Sequence, residues 1–258
     1  MLETLASIQS GAPESPAIVF LHGSPLTGRM WTPQLERLTE FFCLAPDLPS
    51  HGNSAHIPTH SLASVTEQVA ALIREKVPSG QAHIVGLSYG GVIAQGLLKF
   101  APAVVKSALL SGTSNRMARW LVETQRLNEP IMRLLKPQQL AALVCRQFGI
   151  PKEYQQAMAG DFATFSASTL MDVLMTFTEI PTLAENRIPT LVLVGEKETF
   201  FAKQAAAQLS KSIAQARGYT VPGLGHVWNL QNPDLFTETV RAWIGNTPLP
   251  AALRPIVQ

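Results

Sequence analysis

Short, continuous apolar runs alternate along the chain with segments whose apolar residues recur every three or four positions. The runs have the length of strands, and their unbroken apolar character is typical of strands covered on both faces. They lie at residues 17–21, 41–45, 83–85, 104–110 and 189–195, with weaker strand patterns at 5–9 and 218–221. The segments between them have helical spacing; from Val65 and again from Phe236, apolar residues follow i, i+4, i+7, i+8. This alternation predicts an α/β fold with a mostly parallel, doubly wound sheet of about seven to eight strands.

The alternation is interrupted after residue 114. Helical periods dominate from 115 to 186, and Pro130, Pro137 and Pro151 stand where helices would begin. Strand and helix patterns resume at residue 187. We therefore predict an α/β core domain made of residues 1–114 and 187–258, with a helical cap inserted at 115–186. The proline-containing tail from Asn246 is expected to lie along the surface.

Composition limits the classes of protein that fit this pattern. Of the 258 residues, 46% are hydrophobic and 15% are charged, which is typical of a folded globular chain rather than a disordered one. The formal charge of +2 argues against nucleic acid as the main partner. No apolar run has the length of a membrane span, and the first residues lack a signal-peptide pattern, so we expect a cytoplasmic protein. Cys43 and Cys145 are then expected to be buried, reduced thiols, with a disulfide as the alternative.

The stretch Gly86-Leu87-Ser88-Tyr89-Gly90 joins an apolar strand to a helix. G-x-S-x-G in this context is typical of a nucleophile elbow, a sharp turn that exposes the serine hydroxyl in a strained backbone conformation. A Cβ at either glycine would collide with neighbouring backbone. The helix that follows directs its positive end at the serine, which favours an oxyanion there.

Three further motifs join the elbow in a fixed order. His22-Gly23 follows the first buried strand, Asp47-Leu48-Pro49-x-His51-Gly52-x-Ser54 follows the next, and Gly225-His226 follows the last predicted strand. With these motifs, the chain resembles α/β-hydrolase-fold proteins of the serine carboxylesterase type over nearly its full length. Ligands of such sheets bind beyond the carboxyl ends of the strands, where all these loops begin.

The resemblance implies a catalytic triad in the order serine, acid, histidine. Ser88 takes the place of the nucleophile and His226 that of the general base. The acid lies in Gly195-Glu196-Lys197-Glu198, where Glu198 occupies the usual position and Glu196 is the alternative. In the opposing interpretation, both glutamates are solvated loop charges.

The resemblance also implies an oxyanion hole formed by the backbone amides of Tyr89 and Ser24. His22 is expected to brace the loop that carries Ser24, and residues 47–54 are expected to build a structural turn. Two residues depart from the family pattern. Ser50 stands where glycine is usual and is expected to alter the turn, and Gln231 replaces a common glutamate, so a brace on the His226 loop is expected to be missing.

Apolar residues of the predicted cap are candidates for the substrate pocket. The pocket candidates are His22, Trp228, Met117, Trp120, Phe162 and Phe165. The cap also carries Arg116, Arg119, Arg126, Arg133 and Arg146, which fit either an acidic carrier protein, as in the carrier-protein methyl-ester esterases, or a solvated helix face. The latter is the simpler explanation.

The histidines at positions 51, 56 and 60 lie close together but lack metal-ligand spacing, so we expect no metal. No cofactor is expected either. The sequence thus predicts a serine hydrolase acting on a small acyl ester or thioester. The same residues also serve carbon-carbon bond, lactone and amide hydrolases. A receptor that binds a small molecule without turnover is the alternative from another class.

Overall fold

One mixed sheet of eight strands runs through the molecule. The computed structural model describes residues 3–124, 136–163 and 165–256. The strands are β1 (Ser7–Ser10), β2 (Ala17–Leu21), β3 (Phe42–Pro46), β4 (Ala82–Leu87), β5 (Val105–Ser111), β6 (Thr190–Gly195), β7 (Ala216–Val221) and β8 (Arg254–Pro255). Their spatial order is β1-β3-β2-β4-β5-β6-β7-β8. The β1–β3 and β7–β8 pairs are antiparallel, and the other pairs are parallel.

The central strands are buried on both faces, as their unbroken apolar runs predict. In β2, Val19 and Leu21 belong to one core cluster, whereas Ile18 and Phe20 belong to the cluster on the opposite face. Successive side chains of a strand point to opposite faces, so an apolar run is required wherever both faces are covered. The predicted α/β fold with a doubly wound, mostly parallel sheet is therefore confirmed.

The described residues form ten α-helices. They are α1 (Thr32–Leu35), α2 (Leu62–Lys76), α3 (Tyr89–Phe100), α4 (Arg119–Thr124), α5 (Pro137–Phe148), α6 (Gln155–Ala163), α7 (Ala167–Thr176), α8 (Phe200–Ser212), α9 (Trp228–Gln231) and α10 (Pro233–Ile244). The buried face of α2 belongs to the first cluster and that of α10 to the second. The predicted spacing from Val65 and from Phe236 thus places one helix on each face of the sheet.

Helices α4 to α7 occupy the chain between β5 and β6, and we call residues 115–186 the β5–β6 segment. Met158 and Phe162 pack in the second core cluster, whereas Val173 packs in the first. A buried carboxylate also ties the segment to the core, because Asp161 accepts hydrogen bonds from Thr27 Oγ1 at 3.0 Å and Arg29 Nη2 at 2.9 Å. Arg126, Pro130 and Arg133, named above, lie outside the described residues.

The structure differs from the sequence prediction in the C-terminal tail. Between β2 and β3 the chain forms only the short helix α1, which a 3₁₀ turn precedes. The tail does more than lie on the surface, because Arg254 pairs with Thr220 and adds β8 to the sheet edge. Cys43 and Cys145 are buried free thiols, as predicted. Across the described ranges, no helix combines the length and the apolar character that crossing a bilayer requires.

Candidate active site

Ser88 lies at the sharp turn between β4 and α3. Its backbone has φ 56° and ψ −116°, which is rare for a residue with a side chain. A Cβ on Gly86 would collide with the Gly90 carbonyl, and a Cβ on Gly90 would collide with the carbonyl of Leu21. The predicted need for both glycines is therefore confirmed, and the turn leaves Ser88 partly exposed.

His226 and Glu198 form a close pair at the same edge of the sheet. His226 Nδ1 lies 2.7 Å from Glu198 Oε2, and the two side chains are 20% and 3% exposed. The other carboxylate oxygen, Oε1, accepts a hydrogen bond from the Gly195 amide at 3.0 Å. Because the carboxylate accepts a hydrogen bond from Nδ1, it favours the tautomer that carries its hydrogen on Nδ1 and leaves Nε2 free to accept a proton.

Glu196, the alternative acid, is engaged elsewhere. Its Oε2 accepts a hydrogen bond from the Gly223 amide at 2.7 Å, and its Oε1 lies 3.6 Å from Arg254 Nη1. Of the two candidate acids, Glu198 is therefore the one that contacts His226. Both glutamates leave the end of β6, and the turn between them directs the two carboxylates to different partners.

The carboxyl end of β5 connects the elbow to this pair. The Ser88 amide donates to the carbonyl of Ser111 at 2.9 Å. The next residue, Gly112, packs under the pair, since a Cβ built there would lie 2.8 Å from His226 Nδ1 and 3.1 Å from Glu198 Oε1. Ser88 is thus hydrogen-bonded to the last residue of β5, and His226 and Glu198 lie against the next residue of the chain.

Two backbone amides near Ser88 lack acceptors. Within the described ranges, neither the Ser24 amide nor the Tyr89 amide donates a hydrogen bond to the protein. A Cβ on Gly23, just before Ser24, would lie 3.2 Å from the Cβ of Ser88, so this loop passes close to the elbow. Free donors beside a serine hydroxyl are the chemistry that an oxyanion requires.

His22 braces the loop that carries Ser24, as the sequence predicts. Its side chain is fully buried, and Nε2 accepts a hydrogen bond from the Leu48 amide at 2.9 Å. The hydrogen therefore resides on Nδ1, which donates to the Gly23 carbonyl at 3.1 Å. Burial, with a smaller effect of His51, holds the pKa of His22 well below its ordinary value, so the imidazole stays neutral.

His51 holds Ser24 from the other side. Its Nδ1 donates to the Pro49 carbonyl at 2.8 Å, so Nε2 accepts a hydrogen bond from Ser24 Oγ at 3.0 Å. Burial lowers the pKa of His51 to about 4, and the ring therefore remains neutral at pH 7. The sequence assigned His51 only to a structural turn and did not reveal this contact.

The turn around His51 is built as predicted, but Ser50 does not disrupt it. Ser50 adopts φ 64°, the left-handed conformation that glycine takes easily. Its hydroxyl accepts from the Thr59 amide at 3.0 Å, which ties the turn to the next loop. Asp47 completes the turn by accepting from the Gly28 and Asn53 amides, each at 2.9 Å.

The model of the alpha/beta hydrolase family matches residues 18–239, which is most of the chain. This chain belongs to the alpha/beta hydrolase family. The matched range includes the elbow, the loop that carries Ser24 and the segment between β5 and β6.

Individual relatives are distant but cover nearly the whole hydrolase. An AB hydrolase superfamily protein of Gibberella zeae is 27% identical, over 97% of this chain and 87% of its own. A pimeloyl-(acyl-carrier protein) methyl ester esterase of Vibrio vulnificus is 24% identical, over 90% and 95% of the two chains. The crystal structure of a hydrolase from Pseudomonas aeruginosa is 26% identical, with a TM-score of 0.76 over 93% and 94% of the chains.

The predicted pocket residues of this alpha/beta hydrolase fall into two groups. Phe165 contacts the His51 ring, with ring centroids 5.1 Å apart. The Met117 amide donates to the Phe177 carbonyl at 2.9 Å, and the Phe177 ring stacks over Tyr89 at 6.2 Å. Phe165 thus lies beside the ring that holds Ser24, and the Met117 backbone lies beside Phe177, which contacts Tyr89.

The other candidates do not line an open pocket. Trp228 is fully buried against Phe236, and its Nε1 donates to Ser111 Oγ at 2.8 Å, so it belongs to the core. His22 is equally buried, and Phe162 is 6% exposed inside the second core cluster. Trp120, in contrast, is 69% exposed on α4. Helical spacing identified Trp120 and Phe162 as apolar positions without showing whether they face the site.

Two residues that the sequence did not assign to the site contact the His226 loop. The Phe148 ring packs against the His226 imidazole, with centroids 5.2 Å apart. Gln231 Oε1 accepts from the Gly225 amide at 2.8 Å, while its Nε2 donates to the carbonyls of Phe148 and Gly149. The prediction that Gln231 leaves this loop without a brace is therefore wrong.

A cavity of about 740 Å³ opens beside His226 and Glu198. The end of α5, the β6–α8 loop and the loop before His226 line it, including Arg146, Lys197 and Thr199. Two of the predicted cap arginines are engaged within their own segment: Arg116 donates to the Thr178 carbonyl, and Arg119 pairs with Glu123. Arg146 remains exposed at the cavity wall.

Proposed function

We propose that this hydrolase cleaves a small carboxylic ester or thioester through an acyl-enzyme on Ser88. The observation that carries the proposal is the 2.7 Å contact between His226 and Glu198 at the edge where the strained Ser88 leaves the sheet. The Vibrio relative is named a methyl ester esterase, which agrees with this class of substrate.

In the proposed reaction, His226 Nε2 takes the proton of Ser88 Oγ as this oxygen bonds to the acyl carbon. Glu198 keeps the hydrogen on Nδ1 and stabilises the imidazolium that forms. The acyl oxygen becomes an oxyanion, which the Ser24 and Tyr89 amides stabilise by hydrogen bonds. His226 then returns the proton to the leaving oxygen or sulfur as its bond to the acyl carbon breaks.

Water completes the cycle by attacking the acyl-enzyme. His226 takes a proton from this water, and the new bond between water oxygen and acyl carbon recreates the oxyanion. The bond from Ser88 Oγ to the carbon then breaks, and His226 returns the proton to Oγ. The products are one carboxylic acid and one alcohol or thiol, and the enzyme regains its starting protonation.

We also propose that the β5–β6 segment acts as a cap over this site. Phe165 of the segment reaches the ring of His51, and Phe148 reaches that of His226. These contacts place apolar side chains beside the proposed base, His226, and beside the ring that holds the Ser24 loop. An acyl chain in contact with them would be shielded from water, which favours acyl transfer.

A panel of p-nitrophenyl esters of increasing acyl length tests this function, with lactone and amide substrates measured alongside. We expect multiple turnovers on esters and a loss of nearly all activity in Ser88→Ala, because no other group supplies the nucleophile. A preference for lactones or amides would leave the proposed triad residues unchanged but would replace the proposed substrate class. A single burst without turnover would instead indicate a receptor, and full activity in Ser88→Ala would disprove the nucleophile.

A further inference from the structure

Two adjacent phenylalanines stand out of the surface at the start of α8. The side chains of Phe200 and Phe201 are 74% and 78% exposed, more than any other large apolar residue of the described chain. Their rings contact each other edge to face, with centroids 6.0 Å apart. A pair of neighbouring exposed aromatic rings forms an apolar patch, and such patches mark interaction surfaces.

The groups around this patch are positively charged. Lys197 is exposed in the loop just before the phenylalanines, and Lys203 is exposed in the first turn of α8 just after them. The nearby carboxylates are engaged with other groups: Glu198 faces His226, and Glu196 accepts from the Gly223 amide and lies near Arg254. The patch therefore presents apolar rings flanked by cations.

This combination fits an anionic lipid surface better than a second copy of the chain. Two exposed phenylalanine side chains offer about 300 Å², well under the roughly 800 Å² that each partner buries in a stable protein interface. A two-fold dimer centred on the patch would also bring the lysines of one copy against those of the other. Anionic headgroups attract these lysines, while aromatic rings enter the acyl boundary below them.

We propose that the first turn of α8 binds the surface of anionic lipid bilayers, with Phe200 and Phe201 inserted below the headgroups. The patch adjoins the cavity beside His226, since Lys197, Thr199 and Ala202 line that cavity on either side of the phenylalanines. Resting on the ester-hydrolase function proposed above, this arrangement allows membrane-dissolved esters to enter the cavity from the bilayer. The binding step itself requires no catalysis.

Co-sedimentation with phosphatidylcholine vesicles, with or without phosphatidylglycerol, tests the binding in the Ser88→Ala background. We expect binding to the phosphatidylglycerol vesicles to fall at least about tenfold in the double variant Phe200→Ser/Phe201→Ser. Lys203→Glu should weaken binding to the anionic vesicles only. Phe100→Ser, at an exposed phenylalanine on α3, and Lys211→Glu, at the other end of α8, are matched controls that should bind normally.

Three results would overturn the proposal: no sedimentation with either vesicle type, equal binding by the double phenylalanine variant, or a dimer in light scattering that this variant dissociates. The last result would assign the patch to self-association. Hydrolysis of a water-soluble p-nitrophenyl ester by the double phenylalanine variant with Ser88 retained is measured separately and should be unchanged. Failure of binding with intact hydrolysis rejects only the membrane surface, whereas absence of hydrolysis in every form rejects the proposed function.

Discussion

Ser88 combines a strained backbone with a precise set of neighbours. Its φ of 56° costs on the order of 1–3 kcal/mol for a residue that carries a Cβ. The surrounding fold compensates this cost through the hydrogen bond from the Ser88 amide to the Ser111 carbonyl and through the close contacts that only Gly86 and Gly90 permit. At the scale of single residues, the elbow was predictable because glycine and serine at fixed spacing imply one backbone geometry.

The acid was less predictable than the nucleophile. Glu196 and Glu198 are two residues apart in one loop, and both have the chemistry to orient an imidazole. Only the conformation of the turn decides between them, and it directs Glu198 to His226 and Glu196 to Gly223. Local sequence carries no pattern that distinguishes the two arrangements.

Exchange of each glutamate for glutamine tests this assignment. Glu198→Gln should lower kcat by about 10³- to 10⁴-fold, because a neutral amide neither fixes the tautomer nor stabilises the imidazolium. Glu196→Gln is the matched control and should retain nearly full turnover. Steady-state kinetics on one ester, with circular dichroism to verify folding, would measure both effects. The opposite ranking of the two variants would contradict the geometry.

Gln231 connects two elements that are far apart in sequence. Its side chain joins the loop before His226 to the carbonyls at the end of α5, beside the Phe148 ring that covers the imidazole. A glutamate would still accept from Gly225 but would have no hydrogen to donate to Phe148. The sequence could not show this link, because residues 148 and 231 meet only in the folded chain.

The variant Gln231→Glu should therefore loosen the end of α5 over His226. A carboxylate facing two carbonyl oxygens would destabilise this contact by about 1–3 kcal/mol. We expect faster amide hydrogen exchange at Ile150, whose amide donates to the Cys145 carbonyl, together with a lower kcat/KM. Gln147→Glu adds the same charge at an exposed position of the same helix and should leave this exchange rate unchanged. Equal rates in Gln231→Glu and wild type would show that Gln231 does not hold the helix.

Across the whole molecule, the sequence predicted the sheet better than the surfaces that cover it. The apolar runs of β2 and β4 define buried strands because both of their faces lie in the core. Arg254 and Pro255 have no such pattern, and their strand β8 forms only through pairing with β7. Likewise, Trp228 and Phe162 have apolar side chains suited to a pocket, but packing around the sheet places them in the core.

The buried histidines make the stability of the molecule depend on pH. Burial lowers the pKa of His51 to about 4 and that of His22 well below its ordinary value. Below about pH 6.5, the unfolded chain takes up protons that the folded protein excludes, so stability falls with decreasing pH. Each histidine contributes at most about 1.4 kcal/mol per pH unit, and the interval from pH 6.5 to 5 precedes most carboxylate titration.

Denaturant unfolding between pH 7 and 5 would measure this dependence. The free energy of unfolding should decline with a steeper slope in wild type than in His51→Gln, which removes one of the three imidazoles whose pKa is lowered by burial, the others being His22 and His83. His60→Gln, at an exposed histidine, is the control and should keep the wild-type slope. A free energy of unfolding that stays constant over this range would contradict the buried, neutral state of these rings.

The most direct test of the account is covalent labelling with a fluorophosphonate, followed by peptide mass spectrometry. An activated serine beside a histidine base should displace fluoride and gain one phosphonyl group. We predict a single adduct on the peptide that contains Ser88, strongly slowed in His226→Gln and absent in Ser88→Ala. Labelling at another residue, or an undiminished adduct in Ser88→Ala, would show that the chemistry does not take place at this elbow.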